Sequence, residues 1–333
     1  MAGERFVICA RALDGKTGGF KPEPGRVRYL VVPAGASPNP DQEVKPADWA
    51  EAVRTLADGH ADANLGTSGD VLIFVHGYNN DQAGIMSRHD RLQKNLAGER
   101  WRGVVVSFDW PSENNTLNYL EDRSDAAETA RELVDRGITL LARGQDNGCE
   151  TNVHLLGHST GAYVIMEAFA QAEKNGGLFQ SQWRVGQAVF IAGDVAADSL
   201  SIDSDWARPM YRRIMRLTNY QNPFDSVLAV SNAKRLGVSP RAGRIGLPDA
   251  APRKAVNVHC GDYFQTIDPD TRPRDGTFCH SWHFADPLFA RDLAMTLEGR
   301  IDREAIPTRT QSGANLVLRQ GARPAFETAW YRP

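Results

Sequence analysis

The sequence has no long hydrophobic run, no excess of charge of either sign, and only four cysteines in 333 residues. Each absence removes a class of function. A membrane-spanning helix needs about 20 consecutive apolar residues. The apolar patch near the start, Phe6 to Ala10, is too short even for a secretory signal, so the sequence predicts a soluble protein with no membrane span that stays in the cytoplasm. A formal net charge of −3 with both signs interspersed gives no basic stripe for nucleic acid and no acidic tail. Cys9, Cys149, Cys260 and Cys279 lack metal-ligand spacing, so no metal is expected, and in a reducing cytosol they are expected as free thiols. Only in an exported protein would Cys260 and Cys279, which bracket one loop, be expected to pair. There is no phosphate-binding glycine loop and no dinucleotide fingerprint, and Asp268-Pro-Asp270 lacks a full ligand set for calcium. No cofactor is therefore expected.

With 41% hydrophobic residues the chain has enough apolar material for a sizeable core. Short apolar runs alternate with helical patterns, which is the arrangement of a mostly parallel, doubly wound sheet with helices on both faces. Strands are expected at Arg26–Val32, Val71–Val75, Gly103–Phe108, Asn152–Leu156, Gln187–Ala192, Arg213–Thr218 and Ala255–His259, with a further one near Arg5–Ala10 at the sheet edge. A helix is expected over Asp125–Leu141 behind an N-cap at Ser124, and another from Asp286-Pro287 to Gly299. The irregular stretches Val32–Val44, Ser239–Lys254 and Ile301–Pro333 do not divide the chain into two cores. The expectation is one domain over 1–333, with its core at about 70–300, an extension at 1–69 and a wrapping tail at 301–333.

The most informative stretch is Val153-His-Leu-Leu-Gly157-His-Ser159-Thr-Gly161, a buried-strand pattern that runs into G-x-S-x-G and then into a helical pattern over Ala162–Glu173. That setting marks a nucleophile elbow, in which a sharp strand-to-helix turn lifts the Ser159 hydroxyl above the sheet. A serine hydroxyl is a poor nucleophile until an imidazole takes its proton, and the imidazole needs a carboxylate to fix its tautomer. In an elbow fold these follow in the order serine, acid, histidine.

Two acids follow strands directly, Asp194 and Asp225, and the loop after the second strand is the usual place for the acid, which selects Asp225. Its position also fits the N-cap of a helix over Ser226–Arg235, and the two roles do not exclude each other. Three histidines follow. His259 lies inside an apolar strand, whereas His280 and His283 lie in a loop before the last helix; His280 is selected, and His283 is expected to line the pocket or the surface. For the oxyanion hole the strand Val71–Val75 runs into His76-Gly77-Tyr78-Asn79-Asn80, which offers the backbone N–H of Tyr78, and the second donor is the N–H of Thr160. Asn79 and Asn80 are suited to rigidify that turn, and His76 is expected to be structural.

Taken together, Phe74–Asn80, Phe108-Asp-Trp-Pro-Ser112, Tyr119-Leu-Glu-Asp122, Gly157–Gly161, Asn222–Ser231 and His280-Ser-Trp282 resemble the bacterial α/β-hydrolase family of unknown function, a group assigned to serine esterases and lipases. The resemblance covers roughly Asp70 to Leu297 and implies Ser159, Asp225 and His280 as the triad. It also favours His280 over His283, because the family's histidine is followed by serine and an aromatic residue and then by the proline of the last helix. Thr160 departs from the family, where methionine is often found.

Between the two strands that precede Asp225, Val195–Tyr211 is short, which predicts a small cap and an open acyl pocket. Tyr78 and Trp282 are expected to contact the substrate. These readings converge on a serine carboxylesterase that takes a small-molecule ester of short to medium acyl chain. The same elbow would also serve a thioesterase, amidase or acyltransferase, and a non-catalytic binding protein on this fold is the remaining alternative.

Overall fold

The computed structural model of the chain describes residues 3–59, 69–78, 80–112, 119–142, 151–176, 182–233, 239–267, 270, 277–313 and 315–324, with backbone alone at 119–125 and 231–233. Asn79, Cys149 and Asp268 lie outside the described residues.

Eleven strands among the described residues form one sheet in the order β10-β11-β9-β8-β7-β6-β4-β5-β1-β2-β3. They are β1 (Arg5–Leu13), β2 (Phe20–Val32), β3 (Glu43–Val44), β4 (Asp70–Val75), β5 (Gly103–Asp109), β6 (Asn152–His158), β7 (Val185–Ile191), β8 (Ile214–Gln221), β9 (Ala255–His259), β10 (Arg309–Ser312) and β11 (Asn315–Leu318). From β1 across to β11 neighbouring strands run parallel, and only the pairs β1–β2, β2–β3 and β10–β11 are antiparallel. The helices are α1 (Pro46–Asp58), α2 (Gln82–Gly98), α3 (Tyr119–Glu132), α4 (Thr139–Ala142), α5 (Thr160–Lys174), α6 (Arg208–Arg213), α7 (Ser226–Ala233), α8 (Ala242–Ile245), α9 (Gly261–Phe264), α10 (Phe278–Ser281) and α11 (Pro287–Glu298).

The period of two along each strand sorts side chains to the two faces. Val71, Ile73 and Val75 of β4 pack into one cluster with Trp49 of α1, Ala130 of α3 and Ile165 of α5. Leu72 and Phe74 enter a second cluster with Leu92 of α2 and Leu293 of α11. The doubly wound arrangement is therefore present, with α1, α3 and α5 on one face and α2 and α11 on the other.

The structure departs from expectation in three places. The strand near Arg5–Ala10 is not at the edge: β1 lies between β5 and β2. Its run Phe6–Ala10 is apolar at every position and buried throughout, the pattern of a strand covered on both faces. The helix expected from Asp125 begins earlier, at Tyr119, and passes through π-helical turns at Leu133–Ile138, so Ser124 lies within it rather than capping it. The tail after Arg300, which has no sequence pattern of its own, forms the β10–β11 hairpin, and Leu316 pairs with Val258 of β9. Strands of four residues are too short to display a period.

The last helix starts and stops as its ends dictate. The Asp286 side chain accepts from the N–H of Phe289, Pro287 occupies the first turn, and Gly299 closes the helix in the left-handed conformation at φ 63°.

Candidate active site

The elbow lies at the C-terminal end of β6, in the middle of the sheet, with β4 and β7 on either side. Ser159 takes φ 55° and ψ −122°, a conformation that β-carbons resist and that costs of order 1–3 kcal/mol. Hydrogen bonds hold it there: its N–H donates to Ile191 O at 3.1 Å, and its carbonyl accepts from the N–H of Asp194 at 3.0 Å and of Ala162 at 3.1 Å. Gly161, in the first turn of α5, lies so close to β4 that a Cβ there would sit 2.1 Å from Val75 O. Thr160, the first residue of α5, is 3% exposed.

The His-Gly turn after β4 passes directly against this serine. A Cβ on Gly77 would lie 2.7 Å from the Cβ of Ser159, so only glycine fits. Asn80 braces the turn by donating from Nδ2 to Gly77 O at 2.8 Å and to Tyr78 O at 2.9 Å. Tyr78 is half-buried. His76 is wholly buried, stacked on Trp110 at 5.3 Å, and its carbonyl accepts from Trp110 Nε1 at 2.8 Å, so its place is structural. Underneath, Asp109 at the end of β5 pairs with Arg11 at 2.6 Å, and Arg11 also reaches Asn80 O. Burial alone would raise the Asp109 pKa, but the Arg11 guanidinium overcomes it and holds the carboxyl below its usual range.

Asp225 and His280 meet. His280 Nδ1 donates to Asp225 Oδ2 at 2.7 Å, and the other carboxylate oxygen accepts from the N–H of Leu228 at 3.0 Å, which caps α7. Asp225 is fully buried, whereas the His280 side chain keeps 11% of its surface exposed. The two loops are tied a second time, because Asn222 Nδ2 donates to Cys279 O at 3.1 Å. The ring of His158, the residue before Ser159, lies 4.9 Å from that of His280, and its Nε2 donates to His280 O at 3.0 Å. The Gly77 turn thus packs against Ser159, and His158 joins the nucleophile's strand to the Asp225–His280 pair.

Residues 60–295 match the profile of a family described as alpha/beta hydrolase of unknown function (DUF900). The chain belongs to this family. No curated protein matches it significantly. Among solved structures, it is similar to a cutinase-like protein from Cryptococcus sp. (14% identity, 69% of this chain and 95% of that one, TM-score 0.34). It is also similar to a hyperthermophilic esterase from the archaeon Pyrobaculum calidifontis (16% identity, 69% of this chain and 74% of that one, TM-score 0.33).

In this α/β-hydrolase the other candidate residues are occupied elsewhere. The Asp194 carboxylate lies 2.9 Å from Arg241 Nε in a buried ion pair. His259, at the end of β9, is half-buried. His283, expected at the pocket or surface, is instead 1% exposed, stacked at 4.1 Å on Trp282 and edge-on to Phe289. Burial pushes its pKa well down. Trp282, expected at the substrate, is also 1% exposed, inside an aromatic cluster with Tyr263, Phe264 and Phe289. An indole there adds core area and offers the substrate no face.

The segment Val195–Tyr211, expected as a small cap, is folded down beside α5. Leu200, Ala207 and Met210 join the core, and Trp206 Nε1 donates to Glu167 of α5 at 2.9 Å. Cys9, Cys260 and Cys279 are free thiols, so Cys260 and Cys279 are not joined. Among the described residues no cluster of three or more His, Cys, Asp or Glu side chains is arranged for a metal, and no helix is long and apolar enough to cross a membrane.

Neither His158 nor the Arg11–Asp109 brace is marked by a local sequence pattern as part of this site. Asp109 alone had a signal, as the acid that ends β5 in Phe108-Asp-Trp-Pro-Ser112.

Proposed function

We propose that this protein is a serine hydrolase that cleaves carboxylic esters of short to medium acyl chain, with Ser159 as nucleophile, His280 as base and acid, and Asp225 as the carboxylate partner. The observation that carries this reading is the 2.7 Å His280–Asp225 hydrogen bond, set beside a serine held at positive φ on a strand-to-helix elbow.

Because Asp225 Oδ2 has no proton to give, Nδ1 of His280 carries the hydrogen and Nε2 keeps its lone pair for the Ser159 hydroxyl. Ser159 Oγ attacks the ester carbonyl as His280 takes its proton, and the tetrahedral oxyanion is held by the backbone N–H groups of Tyr78 and Thr160. His280 then returns the proton to the leaving alcohol and the acyl-enzyme forms. Water, deprotonated by His280, repeats the attack and releases the acid. The Asp225 charge stabilises the imidazolium at both steps. Tyr78 is the residue proposed to touch substrate with its side chain, and the buried Trp282 is withdrawn from that role. The partner is a small-molecule ester.

A chain-length series of nitrophenyl esters tests the reading. Turnover should peak on short to medium acyl groups. A peak on long insoluble esters with interfacial activation would overturn the open-pocket part of the proposal, and a folded protein that turns over no ester would overturn the esterase itself.

A further inference from the structure

His280 stands on α10, a four-residue helical segment, so its own element does little to fix it. Its ring is held at Nδ1 by Asp225. Its backbone is held by Thr277, which accepts from the His280 N–H at 3.0 Å, and by His158, which donates from Nε2 to its carbonyl at 3.0 Å. A carbonyl has no hydrogen to offer, so the His158 proton is on Nε2.

His158 is far better anchored than the residue it holds. It is the last residue of β6, paired with Ile191 of β7, and it is 2% exposed. Its ring is edge-on to Phe284 at 5.1 Å. On the opposite side its Nδ1 lies 3.1 Å from the position a Cβ would take on Gly77. The ring therefore stands between the His-Gly turn and the histidine loop, one residue from the nucleophile.

We propose that His158 is a positioning residue that fixes the histidine loop over Ser159 by donating from its neutral imidazole to the His280 carbonyl. This rests on the serine-hydrolase reading. His158 does not touch the reacting atoms; it transmits the rigidity of the central sheet to His280, whose distance and angle to Ser159 Oγ set the proton transfer. Burial favours the neutral ring that this donor requires and pushes its pKa well below the usual imidazole value.

Three variants separate this role from simple space filling. His158→Leu and His158→Phe keep apolar volume but remove the donor, whereas His158→Gln offers an amide N–H at about the reach of Nε2. The readouts are the second-order rate of fluorophosphonate labelling at Ser159, kcat and KM on a short-chain nitrophenyl ester, and the melting temperature. The expectation is that the leucine and phenylalanine variants label about 10- to 100-fold more slowly and lose kcat in proportion, with KM within about twofold and the fold retained. The glutamine variant should recover most of the rate. Labelling at the wild-type rate in the leucine and phenylalanine variants, or a glutamine variant as slow as they are, would overturn the role. Absence of labelling in folded wild-type protein would instead overturn the hydrolase reading beneath it.

Discussion

Two fully buried aspartates, Asp225 before α7 and Asp292 on α11, behave as different devices. Asp225 has one titratable partner, His280 at 2.7 Å, and a backbone N–H at 3.0 Å. Asp292, on α11, pairs with Arg309 of β10 at 2.6 Å and also accepts from Thr308 and Tyr220. Around Asp292 the cation is permanent, because a guanidinium does not give up its proton in a protein. That cluster is a latch, joining the C-terminal hairpin to β8 and α11. Around Asp225 the partner is an imidazole, whose second nitrogen stays available beyond the pair, and the proposed function uses that nitrogen for proton transfer.

The largest expected effect breaks the comparison on the Asp225 side. Asp225→Asn keeps an oxygen to cap α7 but presents the wrong hydrogen-bonding character to His280. Ester turnover should fall about 10⁴-fold while the melting temperature stays within a few degrees. On the Asp292 side the sign reverses. Arg309→Met leaves a carboxylate buried without its cation and should cost about 3–5 kcal/mol in urea unfolding, with turnover per folded molecule unchanged. A loss of activity without a loss of stability would contradict its reading as a latch.

A third substitution sharpens the active side. Gly77→Ala places a methyl 2.7 Å from the Ser159 Cβ and should reduce turnover about 100-fold through displacement of the turn. Wild-type kinetics would mean that the turn does not contribute to the site.

The most gradual effect follows pH. Burial lowers the pKa of His76, His158 and His283, and it lowers that of His89 to about 3. The unfolded chain then binds more protons than the folded one below about pH 6.5, so stability is full above that value and is lost as pH falls toward the folded values. Each histidine contributes up to about 1.4 kcal/mol per pH unit in its window. Urea midpoints should fall between pH 7.5 and 5.5, and His89→Gln should flatten the slope; a midpoint independent of pH would contradict neutral burial.

The parts of the fold that were legible in the sequence are those with a long period or a forced conformation. The strand before Ser159, the glycine of the elbow and the Asp286-Pro287 helix start each follow from local physics. The acid was harder, because Asp194 and Asp225 both follow strands, and it is the presence of Arg241 beside Asp194 that distinguishes them in space. That arginine comes from 47 positions away in the chain, beyond any local pattern. Trp282 and His283 misled for a related reason: proximity in sequence to His280 says nothing about which way a side chain turns, and both turn into the core. The β10–β11 hairpin was hidden because its stability comes from Arg309 and from pairing with β9, neither of which is visible in four-residue segments. His158 fills a variable position of the G-x-S-x-G pattern, and its contact with His280 comes from 122 positions further along the chain.

The central claim is that Ser159 is an activated nucleophile, and intact mass after incubation with a fluorophosphonate probe tests it most directly. Wild-type protein should gain one adduct that peptide mapping assigns to Ser159, and Ser159→Ala should gain none. Folded wild-type protein that gains no adduct, or gains it at another residue, would contradict the account.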